Sequence, residues 1–243
     1  MSGPRLYGVG VGPGAPDLLT LRAAEILRRV PVIAAPRRAE ADASLAGRIA
    51  AEAVVAPAGQ ELLLLTFPMT RDAATRRAAR EVAARAVADR LHRGLDVAFV
   101  TEGDPLLYSS FLDLLAEAPR HFPHVPVEVV PGITSVTAVA AAARAPLADG
   151  SDRIAIVPAA EALPDVARLG REFDTLVLMK AGSVLPALVD ALERAGLLDR
   201  ALLVTDASTA RERVVRDLRA LGAAPVGYFS TVLVLRARAG EAS

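Results

Sequence analysis

The chain has 243 residues, 28 Lys+Arg against 28 Asp+Glu, three His and no Cys. Zero net charge argues against a general nucleic-acid binder, the missing cysteines exclude disulfides, cysteine-zinc sites, iron–sulfur clusters and thiol catalysis, and 53% hydrophobic residues exclude intrinsic disorder. No apolar run reaches the length of a membrane span and the N-terminus carries no signal-peptide pattern, so the expectation is a soluble cytoplasmic protein of one large or two small domains.

In chain order, strands and helices alternate. Arg5–Val11 reads as a short apolar strand, followed by Gly, Pro and Asp and then a helix from about Asp17 to Arg29, with Asp17 as its N-cap. Val32–Ala35 is a second strand stopped by Pro36, Ala43–Val55 a mixed Ala-rich stretch, and Leu62–Thr66 a third strand. Asp72–His92 is the clearest helix, with Ala78, Val82, Ala86 and Arg90 on one face beside Ala79, Ala83, Val87 and Leu91, and Gly94 where a C-terminal glycine belongs. Asp96–Thr101 is a strand, Pro105–Glu117 a helix capped by Asp104, and Val127–Val130 a fifth strand. Thr134–Ala143 reads as a small-residue helix. Strands are expected at Arg153–Pro158, Thr175–Lys180, Ala201–Asp206 and Tyr228–Arg236, and helices near Leu163–Arg171 and Leu185–Ala195. The fold expectation is α/β with mostly parallel, buried strands in each half, divided at Pro131-Gly132 into domains 1–131 and 132–243.

Three motifs follow strands. Gly-Val-Gly-Val-Gly-Pro-Gly at 8–14 precedes a helix, and its glycines allow close backbone approach to a ligand or simply a tight turn. Pro13 and Asp17 disfavour a phosphate cradle, and a Walker loop is excluded because no lysine follows the glycines. Thr-Glu-Gly-Asp-Pro-Leu-Leu-Tyr-Ser-Ser-Phe at 101–111 contains good helix-start chemistry, which leaves Glu102, Tyr108 and the two serines unexplained. Pro-Gly-Ile-Thr-Ser at 131–135 offers two hydroxyls that either cap a helix or meet a ligand. His121 and His124 fall in an expected loop, His92 near a helix end, and no metal site is expected. Lys180 is the only lysine; among so many Arg and Ala this reads as the coding bias of a GC-rich genome.

With Phe-Pro-Met-Thr at 67–70, Ala145-Pro146-Leu147, Leu178-Met179-Lys180 and Tyr228-Phe229-Ser230, these motifs resemble the tetrapyrrole methylase family over almost the whole chain. Phe-Pro-Met-Thr, Glu-Gly-Asp-Pro with Tyr-x-Ser-Phe, and Tyr-Phe-Ser point to the members that methylate C-20 of precorrin-2 in cobalamin biosynthesis. The resemblance implies two α/β domains with S-adenosylmethionine in the cleft between them, a homodimer, and no nucleic-acid or membrane partner. It implies cofactor contacts at Pro13, Glu102, Gly103, Asp104, Leu107, Thr134, Ser135, Met179 and Ala207. Ala181-Gly182-Ser183 and Thr205-Asp206-Ala207-Ser208 depart from the usual family pattern. A cobalt-loaded substrate, another ring position, a nicotinamide dehydrogenase and a non-catalytic family member stand as alternatives, the dehydrogenase lacking an acidic residue after the second strand.

A sulfonium methyl needs no side-chain nucleophile, only positioning and exclusion of water. Glu102, Asp104 and Tyr108 are the nearest candidates for a base, and none is assigned. The acid arms of a tetrapyrrole call for arginines. Tyr108, Arg37 and Arg38 are the expected substrate contacts, with Arg71 and Arg76 next.

Overall fold

Strand β1 (Leu6–Gly10) is buried at every position, as a strand covered on both faces must be. The same holds for β4 (Val97–Thr101), its parallel neighbour. The computed structural model describes residues 3–221 and 226–236. The chain divides into two compact units, Met1–Thr134 and Ser135–Ser243, three residues beyond the Pro131-Gly132 break.

The first unit is a five-stranded parallel sheet, ordered β3 (Glu61–Thr66), β2 (Val32–Arg37), β4, β1, β5 (Val127–Val130). One face carries α1 (Leu21–Leu27) and α2 (Leu45–Ala53), burying Tyr7, Val9, Ile26, Ile49 and Val100. The other carries α3 (Ala73–His92) and α4 (Phe111–His121), burying Leu6, Val87, Phe99, Phe111 and Leu114. Alternate residues of one strand thus serve two cores, which is why these strands read as continuous apolar runs.

Several sequence expectations are corrected here. The first helix begins later: Pro16–Leu18 form a 3₁₀ turn and Thr20, not Asp17, caps α1 by accepting from the Ala23 N–H at 3.2 Å. Pro36 does not stop the second strand. At that position β2 is paired with β3 alone, the β4 pairing having ended at Ala34, so the missing N–H costs no ladder bond to β4. In α3 the buried face is Ala83, Ala84, Val87, Ala88 and Leu91, while Val82 is exposed. Gly94 does adopt the left-handed C-terminal conformation, with φ 81°.

The second unit holds α5 (Ser135–Ala143), β6 (Ile154–Pro158), α6 (Ala159–Ala162), α7 (Val166–Glu172), β7 (Thr175–Met179), α8 (Leu185–Arg194), β8 (Ala201–Thr205), β9 (Arg213–Val215) and β10 (Ser230–Val234). Its sheet order is β6-β7-β10-β8-β9. Only β6 and β7 are parallel. β10 runs antiparallel to both β7 and β8, and β9 antiparallel to β8, which overturns the expectation of a mostly parallel second sheet. The cause is connectivity. The segments joining β8, β9 and β10 carry no α-helix among the described residues, and without a crossover helix a parallel return is not made.

Candidate functional site

In the first unit β4, β1 and β5 lie side by side and parallel, so the loops that leave them share one edge of the sheet. Backbone bonds zip two of these loops together: the Val11 N–H donates to the Thr101 carbonyl at 2.9 Å and the Gly103 N–H to the Gly12 carbonyl at 2.8 Å. The glycines make this approach possible. A Cβ at Gly10 would stand 2.5 Å from the Gly103 carbonyl oxygen and 2.6 Å from Gly132 Cα, and one at Gly132 would collide with the same carbonyl. Gly10 and Gly132 therefore let three loops of the protein pack on each other's backbone. Gly12 and Gly103 supply φ of 81° and 69°.

Asp104 is the clasp of this cluster. Its Oδ1 accepts from the Leu106 N–H at 2.9 Å and its Oδ2 from the Gly132 N–H at 3.1 Å, joining the β4 and β5 loops. It does not cap a helix starting at Pro105, because α4 begins at Phe111. Tyr108 at φ 53° cannot sit inside a right-handed helix, and the Ser109 hydroxyl takes the Phe111 N–H at 3.0 Å while donating to the Thr101 hydroxyl at 3.0 Å. The serine left unexplained by the sequence thus sets the start of α4. The Leu107 N–H donates to the Asp104 carbonyl at 3.3 Å.

Glu102 points the other way, its Oε1 accepting from the Ala46 N–H at 3.1 Å in the first turn of α2. Burial pushes its carboxyl above the ordinary glutamate value, opposed by the backbone N–H of Glu102 itself, that of Ala46, and the charge of Arg38. This partner is not legible in the sequence, where 43–55 reads only as a mixed Ala-rich stretch. The signal for α2 itself is present in Ser44, which caps the helix by accepting from the Gly47 N–H at 3.1 Å, with apolar residues following at helical spacing.

Around these loops Leu106, Tyr108 and Ile133 are 53%, 44% and 37% exposed, an apolar rim on the strand-end edge. Pro13 and Thr134 are partly exposed. Arg37 ends β2 with its guanidinium engaged, Nε donating to the Thr66 hydroxyl at 3.1 Å and a terminal nitrogen to the Glu40 carbonyl at 2.6 Å. Arg38, one residue on, is exposed, as are Arg71 and Arg76.

The second unit gathers its own group. Because β10 runs against β7 and β8, the segment entering it lies beside the ends of both. The Asp206 N–H donates to the Phe229 carbonyl at 2.9 Å. A Cβ at Gly182 would run into the Gly227 carbonyl, so the turn after Met179 also rests on this segment. Met179 and Ala207 are buried, each followed by a left-handed residue: Lys180 at φ 58° and Ser208 at φ 62°. Ser135 is the first residue of α5.

His121 is not in a loop. It closes α4, with Nε2 3.2 Å from Glu81 and 3.8 Å from Glu117. Those carboxylates also pair with Arg85 at 2.8 Å within α3 and Arg120 at 3.4 Å within α4, and the His121–Glu81 contact joins the two helices.

The chain matches the family Tetrapyrrole (Corrin/Porphyrin) Methylases over residues 5–221. It is 34% identical to the cobalt-precorrin-2 C(20)-methyltransferase of Salmonella typhimurium, over 95% of each chain. It is 35% identical to the precorrin-2 C(20)-methyltransferase of a Sinorhizobium species, over 95% of this chain and 94% of the relative. The crystal structure of the uroporphyrin-III C-methyl transferase from Thermus thermophilus, complexed with S-adenyl homocysteine, has a TM-score of 0.68 at 28% identity, covering 95% of this chain and 97% of that one.

Proposed function

The chain belongs to the tetrapyrrole methylase family, and we propose that it is an S-adenosylmethionine-dependent C-methyltransferase that methylates C-20 of precorrin-2 to give precorrin-3A in cobalamin biosynthesis. The observation that carries this reading is the clasped set of strand-end loops after β1, β4 and β5, rimmed by exposed apolar side chains. The apolar rim offers contact to the flat face of a macrocycle on the sheet edge where open α/β sheets bind, and the macrocycle's acid arms call for charged partners beside it. The same loops fit the cofactor. Gly12 and Gly103 leave backbone rather than side chain in these loops, and Thr134 and Ser135 supply hydroxyls.

S-adenosylmethionine, when bound, supplies an electrophilic methyl group on a sulfonium. The work of the protein is positioning and exclusion of water, which lower a barrier by about 7–11 kcal/mol without a nucleophilic side chain. We propose cofactor contacts at Pro13, Gly103, Leu107, Thr134 and Ser135, and the family resemblance adds Met179 and Ala207. Glu102 and Asp104 serve the cofactor by fixing the loops that carry these contacts. Tyr108 and Arg38 face the tetrapyrrole, while Arg37 supports them by holding the end of β2. We further propose a homodimer that acts in the cytoplasm; light scattering should give twice the protomer mass, and a protomer mass overturns the dimer. No helix among the described residues is long and apolar enough to cross a membrane.

The test is incubation of the protein with precorrin-2 and methyl-labelled S-adenosylmethionine, followed by NMR of the product. Label at C-20 is expected; label at another carbon, or none, overturns the assignment. A cobalt-loaded ring is the second reading, favoured by the name of the Salmonella relative. A parallel incubation with cobalt-precorrin-2 ranks the two by kcat/KM.

A further inference from the structure

Of the 28 basic residues, 27 are arginine and the remaining one is Lys180. A coding bias toward arginine explains the 27 and leaves the exception to be explained. Lys180 directly follows β7, with its backbone left-handed at φ 58°. That conformation costs a non-glycine residue on the order of 1–2 kcal/mol, and glycine would adopt it freely. What the lysine adds is its head group. Nζ lies 5.8 Å from the centroid of the Tyr228 ring, and Tyr228 packs edge-on against Phe229 at 5.3 Å and 84°. The Phe229 carbonyl is the one that takes the Asp206 N–H, so the ammonium stands in the strand-end group that also contains Met179 and Ala207. An ammonium is a compact point charge with three donors, where a guanidinium is a broad plane. Three donors let an ammonium that already has partners take an anion as well.

We propose that Lys180 is a carboxylate-binding residue of this enzyme, its ammonium held on Tyr228 to receive an acid group of a reactant. The inference rests on the function proposed above, which offers two sources for that group: an acetate or propionate arm of the tetrapyrrole, and the methionine carboxylate of S-adenosylmethionine.

As the only lysine, Lys180 has the only side-chain amine in the chain, so amine acylation followed by peptide mass spectrometry reads it alone. The full-length protein is treated with a water-soluble N-hydroxysuccinimide acetate in the presence of precorrin-2, S-adenosylhomocysteine, or 5′-methylthioadenosine, which lacks the amino-acid end. Slowing of Lys180 acylation by at least about fivefold is expected with precorrin-2 if a ring arm is bound, or with S-adenosylhomocysteine but not methylthioadenosine if the methionine carboxylate is. Binding of each ligand is followed separately by absorbance or calorimetry. Unchanged acylation with both precorrin-2 and S-adenosylhomocysteine demonstrably bound overturns the proposal while leaving the function intact; failure of both to bind removes the function and the assignment with it. In kinetics, Lys180→Met raises the KM of the protecting reactant about tenfold and Lys180→Arg less, with the other KM unmoved. A lower melting temperature with both KM values unmoved marks a purely structural lysine and overturns the proposal.

Discussion

The two sheets reach similar loop clusters by different means. In the first, every pairing is parallel, so each loop of the cluster leaves a strand, and the loops are held by backbone against backbone at Gly10, Gly103 and Gly132 with the Asp104 clasp. In the second, β10 enters where β7 and β8 leave, and the cluster adds side chains stacked over one another, Lys180 on Tyr228 and Tyr228 on Phe229. A contact of touching backbone, at Gly10 as at Gly182, cannot absorb an added atom, whereas the side-chain contacts that the second cluster adds can relax.

The contrast is sharpest at Gly10. Gly10→Ala must push apart the backbones of two other loops and should cost about 3 kcal/mol or more. Tyr228→Leu in the second unit removes the ring contacts with Lys180 and Phe229 and should cost about 1 kcal/mol. Urea unfolding of both variants decides it, and equal losses would dissolve the distinction.

Asp104 comes next. Asp104→Ala leaves two backbone N–H groups without their acceptor and should cost about 2 kcal/mol, with Asp104→Asn losing about half because one acceptor oxygen remains. Should the loss follow α4 helicity, read by circular dichroism, rather than global unfolding, Asp104 would be acting on the helix start after all.

Glu102 yields a smaller, pH-dependent effect. Its carboxyl is raised mainly by burial, so the folded state favours the protonated form. That stability is fully present below the ordinary glutamate range and is lost as pH rises through the raised folded value. Glu102→Gln keeps an acceptor for the Ala46 N–H but never ionises. It should gain on the wild type as pH rises through that window, and the stability difference between the two should be flat below it. A difference constant across a pH series of melting curves would place Glu102 in an environment that does not penalise its charge.

The smallest effect separates neighbouring arginines. Arg37→Ala loses the bonds to Thr66 and Glu40 and should lower stability by about 1 kcal/mol. Arg38→Ala should raise the tetrapyrrole KM about twofold at low salt. That effect should fade as ionic strength shortens the screening length to about 8–10 Å, with the S-adenosylmethionine KM unchanged. Identical behaviour of both variants would mean the backbone position, rather than the guanidinium partners, sets their roles.

How much of this was legible in the sequence also differs between the units. Continuous apolar runs mark β1 and β4 most plainly, because they are buried on both faces, while the edge strands β3 and β5 are partly exposed. The direction of β10 was not legible, since strand direction follows from the connection and the segment before β10 carries no periodic signal. Asp104 and Pro105 mimicked a helix start, and nothing local to them announces that Tyr108 turns left-handed or that Gly132, 28 residues away, donates to Asp104. The candidate loops were legible as motifs; their partners, Ala46 for Glu102 and Thr66 for Arg37, are tertiary facts.

The most direct test of the proposed site is a crystal structure of the protein with S-adenosylhomocysteine. Ligand density in contact with Gly103, Leu107 and Thr134, with the Asp104 bonds to Leu106 and Gly132 intact, is the expected result. Clear density elsewhere, with those residues untouched, would contradict the assignment of the clasped loops as the cofactor site.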